Sequence, residues 1–239
     1  MPDQSVSLNK YLSQTGICSR READAWIESG RVTLNGTVAV KGNRVNPGDA
    51  VHLDGKPIRE AVKPVYIALH KPAGITCTTD QRDPDNIIDF IKYPKRIFPI
   101  GRIDKSSTGL ILLTNDGDIV NRILREENDN EKEYIVTVNQ ELNPRVLKRL
   151  SAGVPILGTR TKPCKIEQLG PYKFRITLTQ GLNRQIRRMC EYVGYKVVTL
   201  KRIRVMNILL GDLKPGAWRE LAQEEIVELK MHLSKNVIE

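Results

Sequence analysis

Gly101-Arg-Ile-Asp-Lys-Ser-Ser-Thr-Gly-Leu-Ile-Leu-Leu-Thr-Asn-Asp-Gly117 joins a polar loop to a short apolar strand. Gly109 to Thr114 is a continuous apolar run bounded by turn formers, the pattern of a strand covered on both faces. Asp104 lies just upstream, flanked by Arg102 and Lys105 in a loop of small and polar residues. A carboxylate fixed at the mouth of a sheet with cations beside it can be aimed at a ligand. The same spacing also suits a solvated loop aspartate closing an Asx-turn.

Around this stretch the chain reads as alternating strands and helices. Tyr66–Leu69 and Gly74–Cys77 read as strands about a Lys71-Pro72 turn, and Asn86–Ile91 as a short helix. Asp118–Leu124 is helical in pattern, and Lys132–Val138 alternates like a half-buried strand. Asn143-Pro144 supplies an N-cap and a first-turn proline ahead of Val146, Leu147 and Leu150. Phe174, Ile176 and Leu178 alternate in a strand, and Asn183 reads as the cap of a helix ending at Gly194. Strands are expected at Lys196–Leu200 and near Ile203–Leu210, with a last helix around Glu224–Leu233. Strands that neighbour one another as well as helices predict an α+β fold with a mixed, largely antiparallel sheet.

Residues 7–59 form a different pattern, an αα-ββ unit. Leu8, Tyr11 and Leu12 repeat at helical spacing before Gly16. Ser19-Arg-Arg-Glu22 is a capping box, in which the hydroxyl and the carboxylate satisfy two orphan amides. Ala23, Trp26 and Ile27 make an apolar stripe closed by Gly30. Asn35-Gly36 between Val32, Leu34, Val38 and Val40 is a strong hairpin signal, and Val51 and Leu53 extend the sheet. Pro57 to Pro64 reads as a linker, which divides the chain into residues 1–63 and 64–239.

The formal net charge of +10 over 239 residues favours a polyanionic partner. Between Gly181 and Arg219, nine Lys and Arg stand against Glu191 and Asp212, a lopsided run suited to backbone phosphates. Four scattered cysteines and three histidines offer no metal-ligand spacing, so no metal site is expected. Asp116 and Asp118 lack a third ligand and read as turn and helix-start residues. No apolar stretch is long enough to cross a bilayer and the first residues lack a signal-peptide pattern, so a cytoplasmic protein without a membrane partner is expected.

Gly101–Gly117 resembles the catalytic motif of the RsuA-like pseudouridine synthases, with Ile103 in the place of a Leu and Ser107 in a Thr/Ser position. The resemblance implies that Asp104 is the catalytic carboxylate. Lys132-Glu-Tyr-Ile-Val136 and Gly181-Leu-Asn-Arg-Gln-Ile-Arg-Arg-Met189 resemble the second and third motifs of the same family, in the family's order. They imply that Tyr134 belongs to the active site and that Arg187 pairs with Asp104. Lys71-Pro-Ala-Gly74 matches a further segment, read as structural or RNA-contacting. The N-terminal module, with Leu8-Asn-Lys-Tyr-Leu12 and Ser19-Arg-Arg-Glu-Ala23, resembles an S4 RNA-binding domain, which implies contacts from Lys10, Arg20 and Arg21.

Arg102, Arg184, Arg188 and Arg202 are further candidates for holding the RNA backbone. Uridine-to-pseudouridine conversion is an isomerisation, so no cofactor is implied. Phe98–Gly101, Ser151–Gly158 and Gly181–Met206 look closest to a branch acting on 23S rRNA, with tRNA as a second candidate substrate and a monomer as the expected state. Two readings compete: a non-catalytic RNA-binding protein on the same fold, and a carboxylate-dependent nucleosidase, which would need a second carboxylate facing Asp104.

Overall fold

The computed structural model describes residues 5–58 and 62–235, which fall into two units. One holds the described residues up to Val65 with 93–96 and 115–117, and the other holds the rest. The linker expected over Pro57–Pro64 includes residues 59–61, which lie outside the described residues.

In the N-terminal unit, helices α1 (Leu8–Gln14) and α2 (Arg20–Glu28) share a core with a small antiparallel sheet. Its strands are β1 (Val32–Leu34), β2 (Thr37–Val38), β3 (Val51–Leu53) and β4 (Lys56–Pro57), in the order β2-β1-β3-β4. The capping box forms as its residues dictate: the Glu22 N–H donates to Ser19 Oγ at 3.1 Å, and the Ser19 N–H to the Glu22 carboxylate at 2.6 Å. Asn35 and Gly36 both take positive φ, 52° and 83°, which closes the tight β1–β2 hairpin. Leu8, Leu12, Ala23 and Ile27 are the helix residues that this core buries.

The second unit opens with β5 (Tyr66–Lys71), α3 (Ile87–Ile91), β6 (Phe98–Ile100), β7 (Thr108–Thr114) and α4 (Gly117–Leu124). β8 (Lys132–Val138), α5 (Pro144–Ser151), β9 (Lys165–Gly170) and β10 (Lys173–Leu178) follow. α6 (Gln185–Tyr192), β11 (Val197–Val205), β12 (Ile208–Leu209), β13 (Trp218–Glu220) and α7 (Gln223–Lys235) complete it. The main sheet runs β9-β10-β8-β11-β7-β5-β13, with β12 on β11 and β6 on β7. Every pairing is antiparallel except β11 with β7, so the mixed, largely antiparallel α+β architecture holds.

Two apolar clusters divide this sheet. Leu147, Leu150, Ile186 and Met189 of α5 and α6 pack with Val136, Phe174 and Ile176 of β8 and β10. Ile119, Ile123, Leu229 and Leu233 of α4 and α7 pack with Tyr66, Ala68, Leu110 and Leu112 of β5 and β7. Ile111 and Leu113, on the other face of β7, are also fully buried, as the unbroken apolar run requires.

Gly109 allows the single parallel pairing. It has φ +104°, and a Cβ there would overlap the backbone of Arg202, its partner on β11. Only glycine fits both the conformation and the approach.

Three local expectations are corrected. Gly74–Cys77 is not a strand but an irregular segment with one bridge, Thr76 to Asn86. Its Ile75 carbonyl and the preceding Pro72 carbonyl are drawn to a side chain instead: the buried Lys71 ammonium donates to each at 2.8 Å. The two strands expected across 196–210 are one long β11 with two register shifts against β8, at Ile203 and Val198, followed by β12. Finally, Arg184 caps α6, not Asn183. Arg184 adopts φ 50°, and the Gln185 side chain accepts the Leu182 N–H at 3.0 Å, so the turn is closed from within the helix.

Candidate active site

Asp104 sits in the loop between β6 and β7, and its backbone is held carbonyl by carbonyl. Ser107 N–H donates to Asp104 O at 3.0 Å, Gly74 N–H to Lys105 O at 2.8 Å, and Cys77 Sγ to Ile103 O at 3.4 Å. Lys71 Nζ adds a third bond of its own to Lys105 O, at 3.2 Å. Lys71 has no exposed surface, so its side chain is structural. Burial pushes the Lys71 ammonium pKa down and the Cys77 thiol pKa up.

The carboxylate meets its partners from α6 and its N-cap, eighty or more residues away. Arg187 Nε donates to Asp104 Oδ2 at 3.2 Å, and Arg184 Nη1 stands 3.7 Å from the same oxygen. Arg187 is itself fixed by Ser107 Oγ at 3.2 Å and Val197 O at 3.4 Å. Ser107 is thus a member of the site, at 2% exposure, that residue-by-residue reading passes over. Its signal was the Thr/Ser position within the motif. The buried Gln185, which bonds Gln180 at 3.3 Å, is another, and it shapes the turn bearing Arg184.

These groups border a cleft of about 900 Å³. Asp104 is the one carboxylate among the described lining residues, against Arg102, Lys105, Lys132, Arg184 and Arg202. Phe98 and Tyr134 supply aromatic walls, and Tyr134 also packs on the α5–α6 core. Lys105, expected to flank Asp104 electrostatically, pairs instead with Asp85 at 2.7 Å. No group of three or more His, Cys, Asp or Glu suited to a metal occurs among the described residues.

A β-bulge decides which arginines of β11 reach the cleft. Glu133 pairs with Arg204 but Tyr134 pairs with Arg202, so the ladder skips Ile203. Arg202 and Arg204, which an unbroken strand would place on one face, are divided between the two. Arg202 lines the cleft with Tyr134. Arg204 lies with Glu131 and Glu133, at 2.9 and 3.1 Å.

The basic run from Gly181 to Arg219 is therefore not one patch. Arg187 serves Asp104, Arg204 serves the glutamates, and Arg219 pairs with Glu225 at 2.6 Å. Arg188 bonds the Asn183 carbonyl at 3.1 Å and does not line the cleft. Arg202 is 4% exposed, a buried wall of the cleft rather than a surface cation. Arg102 is exposed at the rim, and Arg20 and Arg21 are exposed in the first turn of α2, with Lys10 half-buried on α1.

The comparisons with known proteins identify the family. The sequence model of the RNA pseudouridylate synthase family matches residues 65–192, and that of the S4 domain residues 6–51. The chain belongs to the RNA pseudouridine synthase family. It is 56% identical over 231 residues to the dual-specificity RNA pseudouridine synthase RluF of Escherichia coli K12, covering 96% of this chain and 80% of the relative. It is 34% identical to the ribosomal large subunit pseudouridine synthase B of Bacillus subtilis, over 93% of this chain and 95% of the relative. A crystal structure of a pseudouridylate synthase superposes with a TM-score of 0.70 at 30% identity, covering 94% of this chain and 99% of that one. This synthase is accordingly an isomerase with an S4 domain at its N-terminus. Among the described residues no helix is long and apolar enough to cross a membrane.

Proposed function

We propose that this synthase converts a uridine of 23S rRNA to pseudouridine, with tRNA as a second substrate, and that Asp104, Tyr134 and Arg187 carry the reaction. The observation that carries the reading is a cleft whose single carboxylate is paired with an arginine and surrounded by cations. That charge balance suits a polyanion, and the described lining residues hold no second carboxylate for a nucleosidase acting by an acid and base pair. The ribosomal target is supported by the Bacillus subtilis relative, whose name specifies the large subunit, and the second substrate by the dual specificity of the Escherichia coli one.

In this reading the target uridine leaves its stack and enters the cleft, where the Tyr134 ring stacks on the base. The Asp104 carboxylate faces C1′ as the N1–C1′ bond breaks, either attacking it or stabilising its positive charge. Arg187 holds the carboxylate in place through a charge-assisted bond. The uracil turns and bonds through C5, losing the C5 proton while N1 gains one. Nothing is oxidised and no group is imported.

Residues 1–63 act as the RNA-locating domain through Lys10, Arg20 and Arg21, and residues 64–239 as the catalytic domain. Arg102, Arg184 and Arg188 hold the flanking backbone, and the enzyme works as a cytoplasmic monomer. The test is tritium release from rRNA carrying 5-tritiated uridine, comparing wild type with Asp104→Asn. Stoichiometric release by wild type and none by the variant is expected. Binding without release by wild type, on rRNA and tRNA alike, would favour the non-catalytic RNA-binding reading.

A further inference from the structure

We propose that Arg202 is a catalytic residue that takes up the negative charge of the uracil ring as its N1–C1′ bond breaks. This rests on the pseudouridine-forming reading of the cleft and adds to it the group that receives the leaving base. The first observation is an imbalance. Arg202 is 4% exposed and lines the cleft, yet its side chain has one bond, from Nε to Leu110 O at 2.7 Å. Its Nη2 is buried without a hydrogen-bond partner, and no carboxylate among the described residues forms an ion pair with it. Two residues along the same strand, Arg204 is held by two glutamates.

A buried cation left without a counter-charge costs several kcal/mol. It is retained where something negative arrives. The cleft's carboxylate does not fill that role, because Asp104 is engaged by Arg187 and Arg184.

Two negative groups come with an RNA: backbone phosphate and the base in transit. In this reading the backbone follows the rim, where Arg102 is exposed and the Arg184 side chain is 46% exposed. Arg202 lies deeper, directly across the ladder from Tyr134 and beside Gly109. A base stacked on Tyr134 therefore meets Arg202 along its edge. When N1–C1′ breaks, the electron pair stays on N1, and the charge spreads to O2 and O4. Electron-poor C1′ is left facing Asp104. The C5–C1′ bond then forms, the C5 proton departs and N1 is protonated, which completes the isomerisation. A planar guanidinium with an open donor matches a carbonyl-bearing anion, and a donor fixed in a buried site acts most strongly on charge that develops there.

The test compares leaving groups. Fluorine at C5 makes the departing uracil a weaker base, and it is not lost as a proton is, so only the exchange of N1 for C5 at C1′ is read. Single-turnover consumption of the N1-linked nucleoside is followed by digestion and chromatography, with enzyme saturating, on RNA carrying uridine or 5-fluorouridine at the target. Wild type, Arg202→Met and Arg202→Lys are compared, and each variant's melting temperature reports its folding. Arg202→Met is expected to lose on the order of 100-fold on uridine, the scale of one such donor, and at least about tenfold less on 5-fluorouridine. Arg202→Lys, which keeps the charge, should fall between and answers the question if the Met variant does not fold. Equal losses on the two substrates, or none, overturn the proposal. A wild type inert on both would instead refute the pseudouridine reading itself.

Discussion

The two faces of β8 and β11 carry nearly the same side chains to opposite ends. On one face, Glu131, Glu133 and Glu167 meet Lys165, Arg175 and Arg204, with Arg175 reaching Glu167 at 2.7 Å and Lys165 reaching Glu131 at 3.1 Å. Acids and bases balance, so this face has little left to offer a charged ligand. On the other face, one aspartate stands among several cations, and the surplus is positive. A site is therefore recognised by charge left over after pairing, not by the number of charged residues.

The comparison can be broken most severely at Gly109, which brings β7 against β11. Gly109→Ala should cost about 4 kcal/mol or more of stability, from a strained φ and a clash with the Arg202 backbone. Thermal unfolding measures it, and an unchanged midpoint would mean that the strands separate easily. Next, Arg187→Met should slow single-turnover pseudouridine formation by about 10²- to 10³-fold, because Asp104 keeps only Arg184 at 3.7 Å. A loss in RNA affinity alone, with full rate at saturation, would reassign Arg187 to binding.

The mirror-image change, Arg204→Met, should leave that rate within about twofold and lower stability by about 1 kcal/mol, because Glu131 keeps Lys165 at 3.1 Å and Glu133 keeps Arg175 at 3.4 Å. Equal effects on rate from both arginines would erase the distinction between the faces. The smallest effect is on pH dependence. The hydrogen bond from Arg204 holds the Glu131 carboxyl below its ordinary value of 4.5. Its contribution is present above pH 4.5 and lost as pH falls through the depressed folded value. In acid titrations followed by circular dichroism, Arg204→Met should therefore lose less additional stability below pH 4.5 than wild type does.

Much of the fold was legible because its signals are local. The capping box at Ser19, the Asn35-Gly36 hairpin and the Asn143 cap each depend on a few adjacent residues. The Gly74–Cys77 segment defeated the same reasoning, since a buried lysine ammonium took the Ile75 carbonyl and the Thr76 backbone bonded Asp85 and Ile87. Ser107 showed only as a Thr/Ser position in a motif, because its role lies in a bond to Arg187, which folding brings near from eighty residues away.

By itself the sequence determined most of the elements, several of their caps, the doubly buried β7 and, through three ordered motifs, the family. Those features follow from local periodicity and hydrogen-bonding chemistry, which neighbouring residues carry with them. Only the tertiary structure decided how the charges are shared. A bulge of one residue at Ile203 sends Arg202 to the cleft and Arg204 to the glutamates, although they stand two apart in a single basic run. Pairing energy depends on distance in space, and a strand's alternation fixes a residue's face only until its register shifts.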